Sequence, residues 1–328
     1  MEISVVVPVR NEEGTISNLL DGLLSQTRIP NEIVITDGGS TDATPRIIED
    51  YSERGLPVRL IRDKGALPGR GRNLAASQAR FEWVAFIDAG IRPAPDWLAA
   101  LAGRAETEGA DVVYGAWEPA IDSFFQECAA IAYVPPPRKI GDSFMRPRFI
   151  ASTLMRRAVW ESVGGFPEHL RSAEDLLFMN KVAAARYRTV YAPDAMVRWN
   201  LQPTFGLTFK RFVSYARNNI RAGLWRGWQA AIFKRYGLLL LSAVPALVWG
   251  PRWLLLILVL WLLMLIARGT VAIWRNRNCY PASASRNVVR LGVLVPLIGM
   301  LDAAAMIGSL QWFFKDKVEA TSGVTDGA

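Results

Sequence analysis

The sequence predicts an α/β domain on a mostly parallel sheet, followed by an interfacial amphipathic helix and C-terminal transmembrane helices. Three observations carry that prediction. Short β-branched runs alternate with helix-patterned segments through residues 1–116, as strands joined by crossover helices require. The composition changes near residue 200, and no acidic residue occurs between Asp194 and Asp302. Two long apolar runs, 236–267 and 291–314, follow that step.

The elements follow in order. Strands are expected at 3–7, 32–36, 58–61, 83–87 and 111–114, and helices at 15–25, 44–51, 71–80 and 96–107. Runs such as VVV and IVI are apolar on both faces, as in strands covered by helices on either side. Residues 117–150 read as an irregular connection marked by Pro135, Pro136 and Pro137. Patterning resumes with a strand at 149–155, a helix after Arg157, a helix at 174–185 and a strand at 189–191. These elements make up a first domain, 1–200.

Residues 201–230 form the amphipathic region. Phe205, Phe209, Phe212, Ala216 and Ile220 share one side of a helix over 204–228, and Lys210, Arg211, Arg217 and Arg221 fill other positions. The competing reading is an ordinary helix packed on the sheet. A membrane domain, 231–314, is expected to hold about three helices at 231–250, 253–274 and 291–314, with a flexible tail at 315–328. Each half of the first apolar run is short of the roughly 20 residues a span needs, so a re-entrant hairpin is the alternative there. The loop 275–290 carries four arginines and no acid, which assigns it to the cytoplasmic side.

Charge narrows the partners. Residues 1–194 hold 22 basic and 26 acidic residues, while 14 basic residues lie in the acid-free window. The basic excess therefore belongs to the Trp- and Leu-rich second part, which points to membrane lipids and their anionic headgroups and away from nucleic acid. The start, MEISVVVPVRNEEG, has neither a basic n-region nor a long apolar h-region. The expectation is a multi-pass protein of the inner or plasma membrane with its first domain in the cytoplasm. Cys128 and Cys279 sit in no metal-binding spacing, and His169 is the one histidine.

Ligands of an open parallel sheet collect outside the carboxyl ends of its strands. Here those ends carry Arg10-Asn11-Glu12-Glu13, Asp37-Gly38-Gly39-Ser40 and Asp88-Ala89-Gly90. The first strand lacks G-x-G-x-x-G, and no Walker sequence occurs; dinucleotide and P-loop chemistry both lose their main support. Glu12 and Asp37 suit the hydroxyls of a nucleoside, Asp88 a divalent cation, and Arg72 the charge of a diphosphate. Asp37 and Asp42 are alternatively turn and N-cap residues.

The ordered set VVVPVRNEE (5–13), VITDGGSTDAT (34–44), GRNLAASQA (71–79), VAFIDAG (84–90), VGGFPE (163–168) and AEDLLF (173–178) resembles the family-2 inverting glycosyltransferases. The likeness covers roughly the first 230 residues. It implies a nucleotide-sugar-binding, GT-A-like fold and a nucleotide-diphosphate sugar donor, UDP-linked by preference. It also implies Mg²⁺ or Mn²⁺. The stretch 204–228 and the later apolar segments would bring a lipid headgroup to the site, so the expected acceptor is lipid-linked, a polyprenyl phosphate or polyprenyl-linked saccharide. Pro8, Arg10, Asn11, Glu12, Asp37 and Gly38 would border the nucleoside, and Asp88 would meet metal and diphosphate. Gly164-Gly165-Phe166 would line the acceptor side, and Asp175 of the Glu174-Asp175 pair would be the catalytic base.

Two departures stand out. Gly90 replaces the second acid usual after Asp88, which keeps open a catalytically degenerate, nucleotide-sugar-binding membrane scaffold. Arg198-Trp199 resembles part of the Gln-x-x-Arg-Trp motif of processive synthases, but Ala195 holds the glutamine position. Arg198 would bind diphosphate and Trp199 would stack beneath a sugar.

Overall fold

The computed structural model describes residues 1–140, 143–245, 250 and 252–316. Two compact units emerge: Met1–Ala120 with Pro137–Asn200, and Ile121–Pro136 with the chain from Leu201 onward. The segment 121–136, expected to be an irregular connection, contains a helix that belongs to the second unit.

The first unit is a sheet between helices. Its strands are β1 (Ile3–Val9), β2 (Glu32–Asp37), β3 (Val58–Arg62), β4 (Trp83–Phe86), β5 (Ile91–Pro93), β6 (Val112–Ala120), β9 (Thr153–Arg156) and β10 (Thr189–Asn200), with a separate β7–β8 hairpin at Arg138–Ile140 and Ser143–Met145. The order across the sheet is β3-β2-β1-β4-β9-β6-β10-β5. β9 runs antiparallel to both β4 and β6, and β5 antiparallel to β10, so the expected mostly parallel sheet is a mixed one. β9 enters after a long excursion instead of a crossover helix, and that connection frees it to run in reverse. Val5, Val6, Val7, Ile33, Val34 and Ile35 are fully buried, as strands covered on both faces must be.

The helices of this unit are α1 (Ile16–Leu24), α2 (Thr44–Glu53), α3 (Pro68–Ser77), α4 (Trp97–Glu108), α6 (Arg157–Ser162) and α7 (Glu174–Ala184). The expected strand at 149–155 begins instead with a short 3₁₀ turn, Ile150–Ser152. Strand order turns outward in both directions from the β1–β4 pair, with β2 and β3 on one side. The carboxyl ends at that switch point carry Arg10 and Asp88, the place where such sheets bind ligands.

The second unit is helical: α5 (Phe124–Tyr133), α8 (Phe205–Arg221), α9 (Trp225–Leu241), α10 (Arg252–Arg275) and α11 (Ala284–Gln311). The amphipathic stretch expected over 204–228 is broken, because Gly223 adopts φ 72° between α8 and α9. α8 packs on α11 so closely that a Cβ on Gly308 would lie 2.3 Å from the Val213 carbonyl oxygen. Glu127 of α5 is ion-paired to Arg286 and Arg290 of α11. Asp302, 1% exposed, accepts from Arg268 and from the Tyr236 hydroxyl at 3.1 Å, which is a structural role. Among the described residues two helices are long and apolar enough to cross a membrane: Arg252–Arg275, with mean hydropathy 2.5, and Ala284–Phe314, with 2.0. The span expected over 231–250 includes residues 246–249, and the tail expected from 315 includes 317–328; both stretches lie outside the described residues.

Candidate active site

The loops after β1 and β2 are locked together. Asn11 holds φ 55°, its amide donates to Ser40 Oγ at 2.8 Å, and its Oδ1 accepts from the Thr41 amide at 2.8 Å. Asp37, 3% exposed, accepts from the Ser40 amide at 3.0 Å and hydroxyl at 2.6 Å. Gly38 has no room for a side chain: a Cβ there would lie 2.5 Å from the Ala66 carbonyl oxygen. Pro8 is half-buried and Arg10 exposed beside them. The Glu12 carboxylate accepts from Thr15 Oγ1, and the Glu12 carbonyl accepts from the Ile16 amide at 2.8 Å. Glu12 thus organises the start of its own helix, a role the sequence reading had not given it.

A second cluster forms around Arg72, 4% exposed on α3. Its guanidinium donates to Glu174 Oε1 at 2.7 Å and to Asp88 Oδ1 at 2.6 Å. Arg72, expected to face a diphosphate, is thus held inside the fold by the two acids expected to act there. Glu174 and Asp175 open α7, and the preceding Ala173 adopts φ 71°. Burial pushes the Glu174 carboxyl up to about 7, with Arg72 opposing and Asp175 adding to the shift. Burial also raises Asp175, again against Arg72. For Arg72, burial disfavours the charge, but Asp88, Glu174 and Asp175 outweigh it and hold the guanidinium protonated. Three carboxyl groups share one arginine, so the cluster stays acidic enough to attract a cation and to accept a proton.

The donor set for a metal is narrow. Among the described residues no group of three or more His, Cys, Asp or Glu side chains gathers as a metal site. Asp88 is 33% exposed, and a Cβ on Gly90 would meet nothing within 4 Å. The position that lacks the second acid opens onto free space. These residues fit a divalent cation held by one carboxylate with diphosphate oxygens and water completing its shell, and do not fit an all-protein cage.

Residues 4–158 match the family described as Glycosyl transferase family 2. They belong to that family. The glycosyltransferase domain is 32% identical over 199 residues to the poly(ribitol-phosphate) beta-N-acetylglucosaminyltransferase TarS of Staphylococcus aureus, covering 55% of this chain and 32% of TarS. It is 29% identical over 217 residues to the glycosyltransferase AglE of Haloferax volcanii, covering 64% and 70%. The chain therefore spans about a third of TarS. The fold is shared with TarS 1–349 in complex with UDP-GlcNAc, at TM-score 0.52 and 19% identity, covering 95% of this chain and 92% of that one. It is also shared with the Pyrobaculum calidifontis mannosyltransferase PcManGT in complex with GDP-Man and Mn²⁺, at TM-score 0.54 and 18% identity, covering 95% and 87%. The α/β unit is thus a GT-A-like fold with a mixed sheet.

Further expected site residues have packing partners of their own. Trp199 packs edge-on to Trp117 at 5.9 Å and against Phe149 at 6.3 Å. Arg198 is exposed on β10, paired in the sheet with Glu118 and Arg92. Phe166, expected to line the acceptor side, is 2% exposed, stacks on Phe178 at 3.9 Å and lies under Arg72. It braces the cluster from the core, since its apolar ring gains most when buried there. Asn73, next to Arg72 in sequence, has a role that its residue type alone does not announce. It accepts from the Phe166 amide at 2.8 Å and donates to the Phe166 carbonyl at 2.9 Å; its place directly after the arginine was the available signal.

Proposed function

We propose that this protein transfers a sugar from a nucleotide-diphosphate donor, UDP-linked by preference, to a lipid-linked acceptor at the cytoplasmic face of the inner membrane. The observation that carries the reading is the Arg72–Asp88–Glu174 cluster, with Asp175 beside it, at the carboxyl edge next to the Asn11–Asp37 loops. The nucleotide sugars bound by TarS and PcManGT support the donor class. In this reading Pro8, Arg10, Asn11, Asp37 and Gly38 border the nucleoside. Asp88 would hold Mg²⁺ or Mn²⁺, a cation that would neutralise charge on the departing diphosphate. Asp175 takes the proton from the acceptor hydroxyl as its oxygen attacks the anomeric carbon. The bond from that carbon to the diphosphate breaks on the opposite face, which inverts the centre. Glu174 fixes Arg72 and keeps Asp175 in a poorly solvated site, where a proton is readily accepted.

The exposed leucines of α10, among them Leu254, Leu255, Leu258 and Leu263, support membrane attachment, as does the apolar length of α11. Each would leave a large apolar surface in water otherwise. That attachment supports a lipid acceptor, whose headgroup is confined to the same interface.

The test uses detergent-purified protein with UDP-, GDP- and dTDP-sugars and Mg²⁺ or Mn²⁺. Expected are thermal stabilisation by at least one donor and slow metal-dependent donor hydrolysis that Asp88→Ala abolishes. No stabilisation across the whole panel would sink the reading. A second arm separates acceptor types. With a hydroxyl acceptor, Asp175→Asn lowers turnover at least as far as Asp88→Asn. With a lipid phosphate, already anionic, it lowers turnover less.

A further inference from the structure

A cleft of about 500 Å³ opens on the outward stripe of α3, and its walls contain neither Asp37, Asp88, Glu174 nor Asp175. Arg70, Leu74 and Ser77 lie at helical spacing on that stripe, while Gly69, Arg72, Ala75 and Ala76 face inward. Trp160 and Glu161 of α6 form the opposite wall, and Glu168 closes one end. The volume is that of a small-molecule site.

The lining is amphipathic in one particular way. Trp160 and half-buried Leu74 supply an apolar wall, while exposed Arg70, Ser77, Glu161 and Glu168 supply acceptors and donors around the rim. A pyranose ring has the same division, with axial C–H faces and a periphery of hydroxyls. A phosphate would meet Glu161 and Glu168, and an alkyl chain would make no use of the polar rim, whose charges are held by Arg157, Asp63 and each other.

The cleft is also rigid. Asn73 accepts from Trp160 Nε1 at 3.0 Å and donates to Glu168 Oε1 at 2.9 Å, in addition to both bonds with Phe166. Gly165, at φ 62°, admits this clamp, because a Cβ there would lie 2.6 Å from Asn73 Oδ1 and 3.1 Å from Trp160 Nε1. A fixed aromatic wall lowers the cost of ordering on binding.

We propose that this cleft binds a pyranose ring of the acceptor saccharide, remote from the hydroxyl that reacts. The inference rests on the transferase reading. Asn73, which lines the cleft, follows Arg72 directly, so one helix, α3, presents the cleft on its outward stripe and Arg72 with its acids on its inward face. Contacts there tie acceptor recognition to the reacting centre through the same helix.

The experiment is fluorine NMR of the detergent-purified full chain carrying fluorotryptophan at its 12 tryptophans. Trp160→Phe identifies the Trp160 resonance, and Ser77→Tyr, on the exposed face of α3, perturbs it as a second identification. The probes are the methyl glycosides of glucose, galactose, mannose, N-acetylglucosamine and rhamnose. At least one is expected to move the Trp160 resonance saturably. Ser77→Tyr is expected to abolish that movement, and Glu161→Ala to weaken binding by about tenfold, the loss of one charge-assisted hydrogen bond. Thermal stabilisation by UDP, GDP and dTDP is measured on the same samples. Stabilisation by any of them with a Trp160 resonance that no glycoside moves overturns the cleft proposal alone, as does a movement that persists in Ser77→Tyr. Absence of any effect of UDP, GDP and dTDP alike overturns the transferase reading on which the acceptor assignment rests.

Discussion

Arg72 is the residue on which the cluster's electrostatics turn. It is buried with two charge-assisted hydrogen bonds to Glu174 and Asp88, and removing it leaves Glu174, 4% exposed, without its partner. Breaking a buried pair from one side costs about 3–5 kcal/mol. Arg72→Met is therefore expected to lower the midpoint of thermal unfolding markedly, and a second substitution, Glu174→Gln, is expected to recover part of the loss. A double mutant no more stable than Arg72→Met would refute the coupling. Glu174 adds a pH dependence. Its carboxyl ionises near 4.5 in an unfolded chain and near 7 here, so between those values the folded state holds a proton that the unfolded state has released. The contribution of Glu174 to stability is full below about 4.5 and falls as pH rises through about 7. Glu174→Gln flattens that slope, measured by chemical denaturation across the window.

Packing between elements sets the next scale. α8 and α11 meet backbone to backbone at Gly308, where a Cβ would also lie 2.7 Å from the Ala216 Cβ. Gly308→Leu forces the helices apart at a cost of about 1–3 kcal/mol, visible as earlier proteolysis between α8 and α9 near Gly223. Unchanged cleavage would refute that contact. The same scale shows what the sequence could reveal. β1, β2 and β4 were legible because buried strands are apolar on both faces, and Asp37 and Asp88 were found by standing at strand ends. The reversed direction of β9 was not, since a period of two carries no polarity. α5 was hidden because Pro135–Pro137 dominate its neighbourhood, and the arginines that hold Glu127 lie 159 and 163 residues further along. The Arg72–Glu174 pair spans 102 residues; spacing within a motif cannot announce it.

At the scale of the whole molecule, the two cysteines provide a natural test of the proposed topology. Cys128 is fully buried on α5, and burial, with Glu127 adding to it, pushes its thiol up to about 11. The reactive species is the thiolate, so Cys128 stays silent to maleimides in the folded protein. Cys279 is partly accessible in the loop between α10 and α11, flanked by Arg275, Arg277, Arg286 and Arg290. Arg286 and Arg290 are ion-paired to Glu127, and the arginines of this segment, Arg275 and Arg277 above all, favour the cytoplasmic side of a bilayer, because moving each across it is opposed by the membrane potential and by the lost attraction to anionic headgroups. If α10 and α11 both cross, Cys279 faces the compartment in which a nucleotide-sugar donor is made. A membrane-impermeant maleimide is then expected to label the wild-type chain in inside-out vesicles and not in intact cells, with Cys279→Ser abolishing the signal. Labelling from outside would invert the orientation and separate the loop from any cytoplasmic donor. Release of the chain from membranes by an alkaline wash would show that the two apolar helices pack against protein instead of lipid.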